Sequence, residues 1–124
     1  MKEKRRKIKK EEKEIEEKVV RILTGEKLSA IKAMLEKDHA IDCIFLLMLG
    51  RGQWKYAKEF MTRLRLTLPD GTFRARMIEI ELNGLSRHEN IDVKKRRWII
   101  TEFGKQVSKL LLGLFNHMAD GGTL

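Results

Sequence analysis

A chain of 124 residues holds one domain with at most an appendage, enough to bury one modest core. Its 27 Lys and Arg against 18 Asp and Glu leave a net charge of +9, so a polyanion is the favoured partner class. The single Cys43 excludes an intramolecular disulfide, and no apolar run approaches the roughly 18 residues that a membrane span needs. The charged N-terminus has no apolar stretch behind it and does not read as a secretory signal, so a soluble cytoplasmic protein is expected.

The first 24 residues differ from the rest. Lys2 to Lys10 carry seven basic residues against Glu3, and Glu11 to Lys18 reverse the balance with five Glu against two Lys. Ile8, Ile15 and Ile22 recur at seven-residue intervals, with Val19 beside them, too thin a stripe for a coiled coil. The spacing predicts a helix from about Glu11 to Leu23 behind a frayed basic arm, ended by Thr24-Gly25. Lys2 to Lys10 fits a polyanion-binding arm or, equally, a disordered solubilising tail, and the N-terminal helix could take a protein partner.

A second helix is predicted over Glu26 to Lys37, with Leu28, Ile31, Met34 and Leu35 on one face. Asp38 then suits the cap of a third helix, His39 to Leu49, apolar nearly all round and so central to the core. Gly50-Arg51-Gly52 ends it. Gln53 to Arg65 reads as a fourth helix with Trp54, Ala57, Phe60, Met61 and Leu64 facing inward. Leu68-Pro69-Asp70-Gly71 is a turn, because Pro presets its backbone angle and Gly relaxes the reversal.

From Thr72, a hydroxyl residue that suits a helix start, Phe73, Met77 and Ile80 follow at spacings of four and three. Asn83-Gly84 stops that helix, and Leu85 is expected to fold back onto the core. A basic hairpin comes next, its tip expected at about Glu89 to Asp92. Strand alternation puts Arg96, Trp98 and Ile100 on one face and Arg97, Ile99 and Thr101 on the other. Thr101 suits the cap of a last helix, Phe103 to about Met118, and the final six residues read as a loose tail. The fold class is mainly α with a small β-hairpin (α+β). The domains read as an arm or helix over 1–24, a main domain over 25–118 and a tail over 119–124.

These phrases resemble the winged helix-turn-helix transcriptional regulators of the MarR/PadR-like class of bacteria and archaea. Thr72, Phe73, Arg76, Met77, Glu79, Ile80, Gly84 and Leu85 fit that family's recognition helix without a gap. Trp98-Ile-Ile-Thr101-Glu-Phe-Gly104 fits the phrase that ends its second wing strand. The match runs from about Asp38 to Met118, with the N-terminal helix as an extra. Ile78 and Leu82 depart from it, standing where the family has polar residues. The resemblance implies a sequence-preferring double-stranded DNA-binding regulator. Its recognition helix, about 71–83, would enter the major groove, and its basic wing, about 86–98, would lie on backbone or minor groove.

With Phe73, Met77 and Ile80 inward, Thr72, Arg74, Ala75 and Ile78 face out, and Arg74 is the expected base reader because its fork can bond guanine at two points. Arg76 is expected to reach phosphate or to pair with Glu79. Lys55, Lys58, Arg87, Lys94, Lys95, Arg96 and Arg97 are the expected phosphate contacts. The last helix carries Val107, Leu110, Leu111, Leu114, Phe115 and Met118, more apolar surface than one domain covers, so a homodimer is expected. His39, His88 and His117 lie far apart in sequence and one Cys makes no zinc site, so no metal, cofactor or enzyme activity is expected. The His39 and Cys43 pair, four apart, reads as core packing. Two other readings stand beside the regulator: a winged-helix protein-interaction module, and a non-specific architectural nucleic-acid binder.

Overall fold

The computed structural model describes the backbone of residues 2–119 and, within it, the side chains of 9–21 and 24–119. It is mainly helical, with six helices and one two-stranded antiparallel hairpin among the described residues. The chain divides into two compact units on either side of Ala33 and Met34.

The first unit holds α1 (Lys2–Thr24) and most of α2 (Glu26–Leu35). Helix α1 begins far earlier than the expected Glu11 and takes in the basic arm. Lys, Arg and Glu are good helix formers, and no Gly or Pro interrupts them. Its stop falls where expected. Gly25 N–H donates to the Arg21 carbonyl at 2.8 Å, and a Cβ at Gly25 would press on that same carbonyl.

In the second unit, α3 (Ala40–Met48) supplies the centre of the core, with Ala40, Cys43, Ile44, Leu46 and Leu47 all buried. Its start corrects the expected Asp38 cap. His39 occupies the cap position at φ 63°, in the left-handed region that His tolerates better than most residues, and no side chain caps the helix. Gly50, at φ 72°, turns the chain out of α3.

Helix α4 (Trp54–Arg63) buries Ala57 and Met61 and half-buries Trp54 and Phe60. Leu64 does not face inward as expected but is 51% exposed, because the helix ends at Arg63 and its periodicity no longer aims the next side chain. Arg65, at φ 59°, reverses the chain.

Helix α5 (Asp70–Leu82) starts two residues before Thr72. Pro69 is the extended residue at its N-cap, and Asp70 in the first turn complements the helix dipole. Phe73, Met77 and Ile80 are buried, as their spacing predicted. Gly84 then takes φ 80°, Leu85 N–H donates to the Ile80 carbonyl at 3.1 Å, and Leu85 is buried.

The hairpin pairs β1 (Ser86–Asp92) with β2 (Lys95–Ile100). Its tip falls at Val93 and Lys94, later than expected. Asp92 makes the reversal, its Oδ1 accepting the backbone N–H groups of Lys94 at 2.8 Å and Lys95 at 3.1 Å. The register irregularity between Asn90 and Asp92 adds the extra residue Ile91.

Thr101 joins the hairpin to α6 (Glu102–Ala119). Its Oγ1 donates to the Gly84 carbonyl at 2.7 Å and accepts Gly104 N–H at 3.1 Å, and its own N–H donates to the Leu85 carbonyl. One hydroxyl therefore caps α6 and ties it to the end of α5. Among the described residues no helix is long and apolar enough to cross a membrane.

Candidate functional site

The basic residues of α5 and the hairpin fall into two groups that differ in what already holds them. Pairing of Glu89 with Arg97 puts their side chains on one face of the ribbon, with Arg87 two residues along. Glu89 Oε2 accepts from Arg97 at 2.7 Å and Oε1 from Arg87 at 3.2 Å. These bonds, Arg97 first and then Arg87, hold the Glu89 carboxyl below the usual carboxylate range. Both arginines on this face are therefore partly neutralised within the hairpin.

The opposite face carries Arg96 and Trp98, next to each other by strand alternation. There Arg96 and Lys94 approach Arg74 from the first half of α5. Together with Trp54, Asp70, Phe73 and Trp98 they line an open cleft of about 150 Å³. The aromatic rings form its base: Phe73 stands 5.3 Å from Trp54 and 6.1 Å from Trp98, centroid to centroid, the latter edge to face. Among the described residues, none of the Arg74, Lys94 and Arg96 side chains has an ion-pair partner.

The other expected site residues are scattered more widely. Ala75 is exposed beside Arg74, and Thr72 is half-buried. Arg76 is held inside the protein: its Nε donates to the Asp38 carbonyl at 2.7 Å and its Nη1 lies 3.3 Å from Glu79 Oε1. Of its two expected roles, pairing with Glu79 is the one seen. Lys37 Nζ reaches the same Glu79 oxygen at 2.8 Å. On α4, Lys55 and Lys58 are exposed, and Lys55 Nζ stands 5.8 Å from the Tyr56 ring centroid. Lys95 is exposed near the tip. The structure thus brings Arg74, Lys94 and Arg96 together and leaves Arg87 and Arg97 on the other face of the ribbon.

Three residues of the cleft and one link outside it were not expected. Asp70 and the two indoles come to the cleft from α4, α5 and β2, and no local pattern announces that meeting. The link joins helix and hairpin, His88 Nδ1 to Glu81 Oε1 at 2.6 Å. His39 turns to Asp42, with Nδ1 3.0 Å from Oδ2, rather than to Cys43. Burial pushes the Cys43 thiol up to about 12, with the Asp42 charge adding to the rise and Arg76 opposing it.

Among the described residues, apolar side chains stay open on both α5 and α6. On α5, Leu82 is 81% exposed and Ile78 is also exposed. On α6, Val107 and Leu111 are half-buried, while Leu110 (76% exposed), Leu112, Leu114, Phe115 and Met118 are exposed. Compared with known proteins, the chain matches no family model, no curated protein and no solved structure.

Proposed function

We propose that this protein is a winged helix-turn-helix regulator that binds double-stranded DNA with sequence preference. One observation carries the reading: the exposed start of α5, bearing Arg74 and Ala75, stands beside a hairpin whose Lys94 and Arg96 side chains have no ion-pair partner among the described residues. An α-helix fits the major groove, and a side chain near its N-terminus reaches base edges. Arg74 reads a guanine, and Ala75 is small enough to let the helix approach. The hairpin is the wing and lies along the backbone. Lys55, Lys58 and Lys95 add phosphate contacts that set register and affinity. Arg76 holds α5 against the Asp38 carbonyl, which makes its contribution positional.

The protein acts as a homodimer in this reading. Leu110, Leu114, Phe115 and Met118 of α6 meet the same surface of a second copy, which sets two recognition helices roughly one DNA turn (about 34 Å) apart.

Selection of preferred sites from random duplexes, repeated with Arg74→Ala, tests the regulator reading. A consensus with two half-sites that loses definition at one base pair in the variant is the expected result. No consensus, with affinity that tracks salt alone, would leave a non-specific binder. The exposure of Leu82 favours a second reading, a docking module for another protein, and Leu82→Ser separates the two. It leaves duplex affinity intact under the first and abolishes partner binding under the second.

A further inference from the structure

The cleft between α5 and the hairpin has a composition that specifies one kind of ligand group. Three cations, Arg74, Lys94 and Arg96, face one carboxylate, Asp70, so the cleft is net positive. Among the described residues none of the three cations has an ion-pair partner, whereas Arg87 and Arg97 of the same hairpin already share Glu89. Trp54 and Trp98 line the cleft, and neither indole N–H has a hydrogen-bond partner among the described residues. Its volume of about 150 Å³ is small. Pockets for drug-sized ligands start at about 300 Å³. Open to solvent, the cleft has room for a tetrahedral phosphodiester group.

We propose, resting on the duplex-binding reading above, that this cleft seats a single backbone phosphate of the DNA. The hairpin then grips the strand beside the point where Arg74 of the helix reads a base. Arg96 and Lys94 supply the contacts from β2 and the tip, Arg74 adds positive charge at the cleft while its fork stays with the guanine, and Trp54 and Trp98 line the seat. Asp70 opposes the phosphate and limits affinity, so that binding stays reversible and sensitive to salt. The basic run 94–97 is thereby divided: Lys94 and Arg96 hold DNA, and Arg97 holds the hairpin.

The test compares the full-length protein with Lys94→Gln, Arg96→Gln and Arg97→Gln on its preferred duplex over a salt series. Each cleft variant is expected to lose about tenfold in affinity near 0.1 M salt and to flatten the dependence of log K on log salt by about one unit. Arg97→Gln changes affinity less than about twofold and leaves that slope alone. Asp70→Asn raises affinity. A duplex carrying one neutral methylphosphonate at the seated position weakens the wild type and leaves Arg96→Gln unaffected, since their shared contact is already gone. Cleft variants that bind like wild type, or an Arg97→Gln loss equal to that of Arg96→Gln, would overturn the seat while the DNA reading survives. So would displacement of the duplex by millimolar inorganic phosphate from wild type but not from Arg96→Gln, which reassigns the seat to a free anion. A wild-type protein that ignores every duplex at low salt removes the DNA reading itself, and the seat with it.

Discussion

The backbone N–H of Trp98 donates a 2.9 Å hydrogen bond to the carbonyl of Gly52, and a Cβ at Gly52 would collide with the carbonyl oxygen of Trp98. The segment between α3 and α4 therefore lies against β2 at a distance only glycine allows, and it fixes the base of the hairpin. Gly52→Ala is expected to cost about 2 kcal/mol or more, because the neighbour in the way is backbone and not a flexible side chain. It also displaces Trp98, so duplex affinity falls with stability. Gly113→Ala, in α6 with nothing within 4 Å of the added methyl, is the control and stabilises by about 0.5–1 kcal/mol. Urea denaturation of the two variants checks both signs.

The buried thiol of Cys43 makes stability depend on alkaline pH in a definite direction. Its ordinary value is 9.0 and the folded value about 12, so between them the folded chain keeps a proton that the unfolded chain has lost. More protons bound to the native state means that stability is complete below about pH 9 and declines as pH rises from 9 towards 12. Cys43→Ala removes this contribution and flattens the profile. Unfolding curves from pH 7 to pH 11 read the difference. A thiol-reactive chromogenic reagent at pH 8 is expected to modify Cys43 only as fast as the protein opens.

Glu79 is half-buried, with one carboxylate oxygen on Lys37 and Arg76 and the other buried without a partner. Removing Arg76 takes away one of the two cations that balance it and also orphans the Asp38 carbonyl. Arg76→Ala is expected to cost about 1–3 kcal/mol. Glu79→Gln in the same background recovers part of the loss by removing the charge. A double-mutant cycle by thermal denaturation measures the coupling, and an unchanged salt dependence of duplex binding in Arg76→Ala confirms that this arginine acts within the protein.

The α6 surface predicts a concentration-dependent assembly. Leu110→Lys is expected to convert a dimer into a monomer in sedimentation equilibrium without lowering helix content, since its side chain is 76% exposed on the single chain. Binding to a two-half-site duplex weakens, while binding to one half-site is kept. A wild-type protein that stays monomeric at high micromolar concentration would remove the dimer from the proposed function.

Local periodicity and turn chemistry decided much of this protein in advance. Phe73, Met77 and Ile80 had to share a face at their spacing, Gly84 had to turn the chain, and Thr101 had to cap the last helix. Each depends on residues within one or two helical turns, where backbone geometry alone sets which side chains are neighbours. Helix ends were less legible, because the His39 backbone angle and the Arg63 stop depend on what surrounds them. Strand alternation placed Arg96 and Arg97 on opposite faces but carried no statement of what each face would meet. That was decided by the register that put Glu89 opposite Arg97, and by the fold that set Trp54, Asp70 and Arg74 beside Arg96. Charges are counted in a sequence, but whether a charge is taken up by a neighbour or left for a ligand is fixed only by distance in three dimensions. Arg76, Arg87 and Arg97 are held by the protein, and among the described residues Arg74, Lys94 and Arg96 have no ion-pair partner.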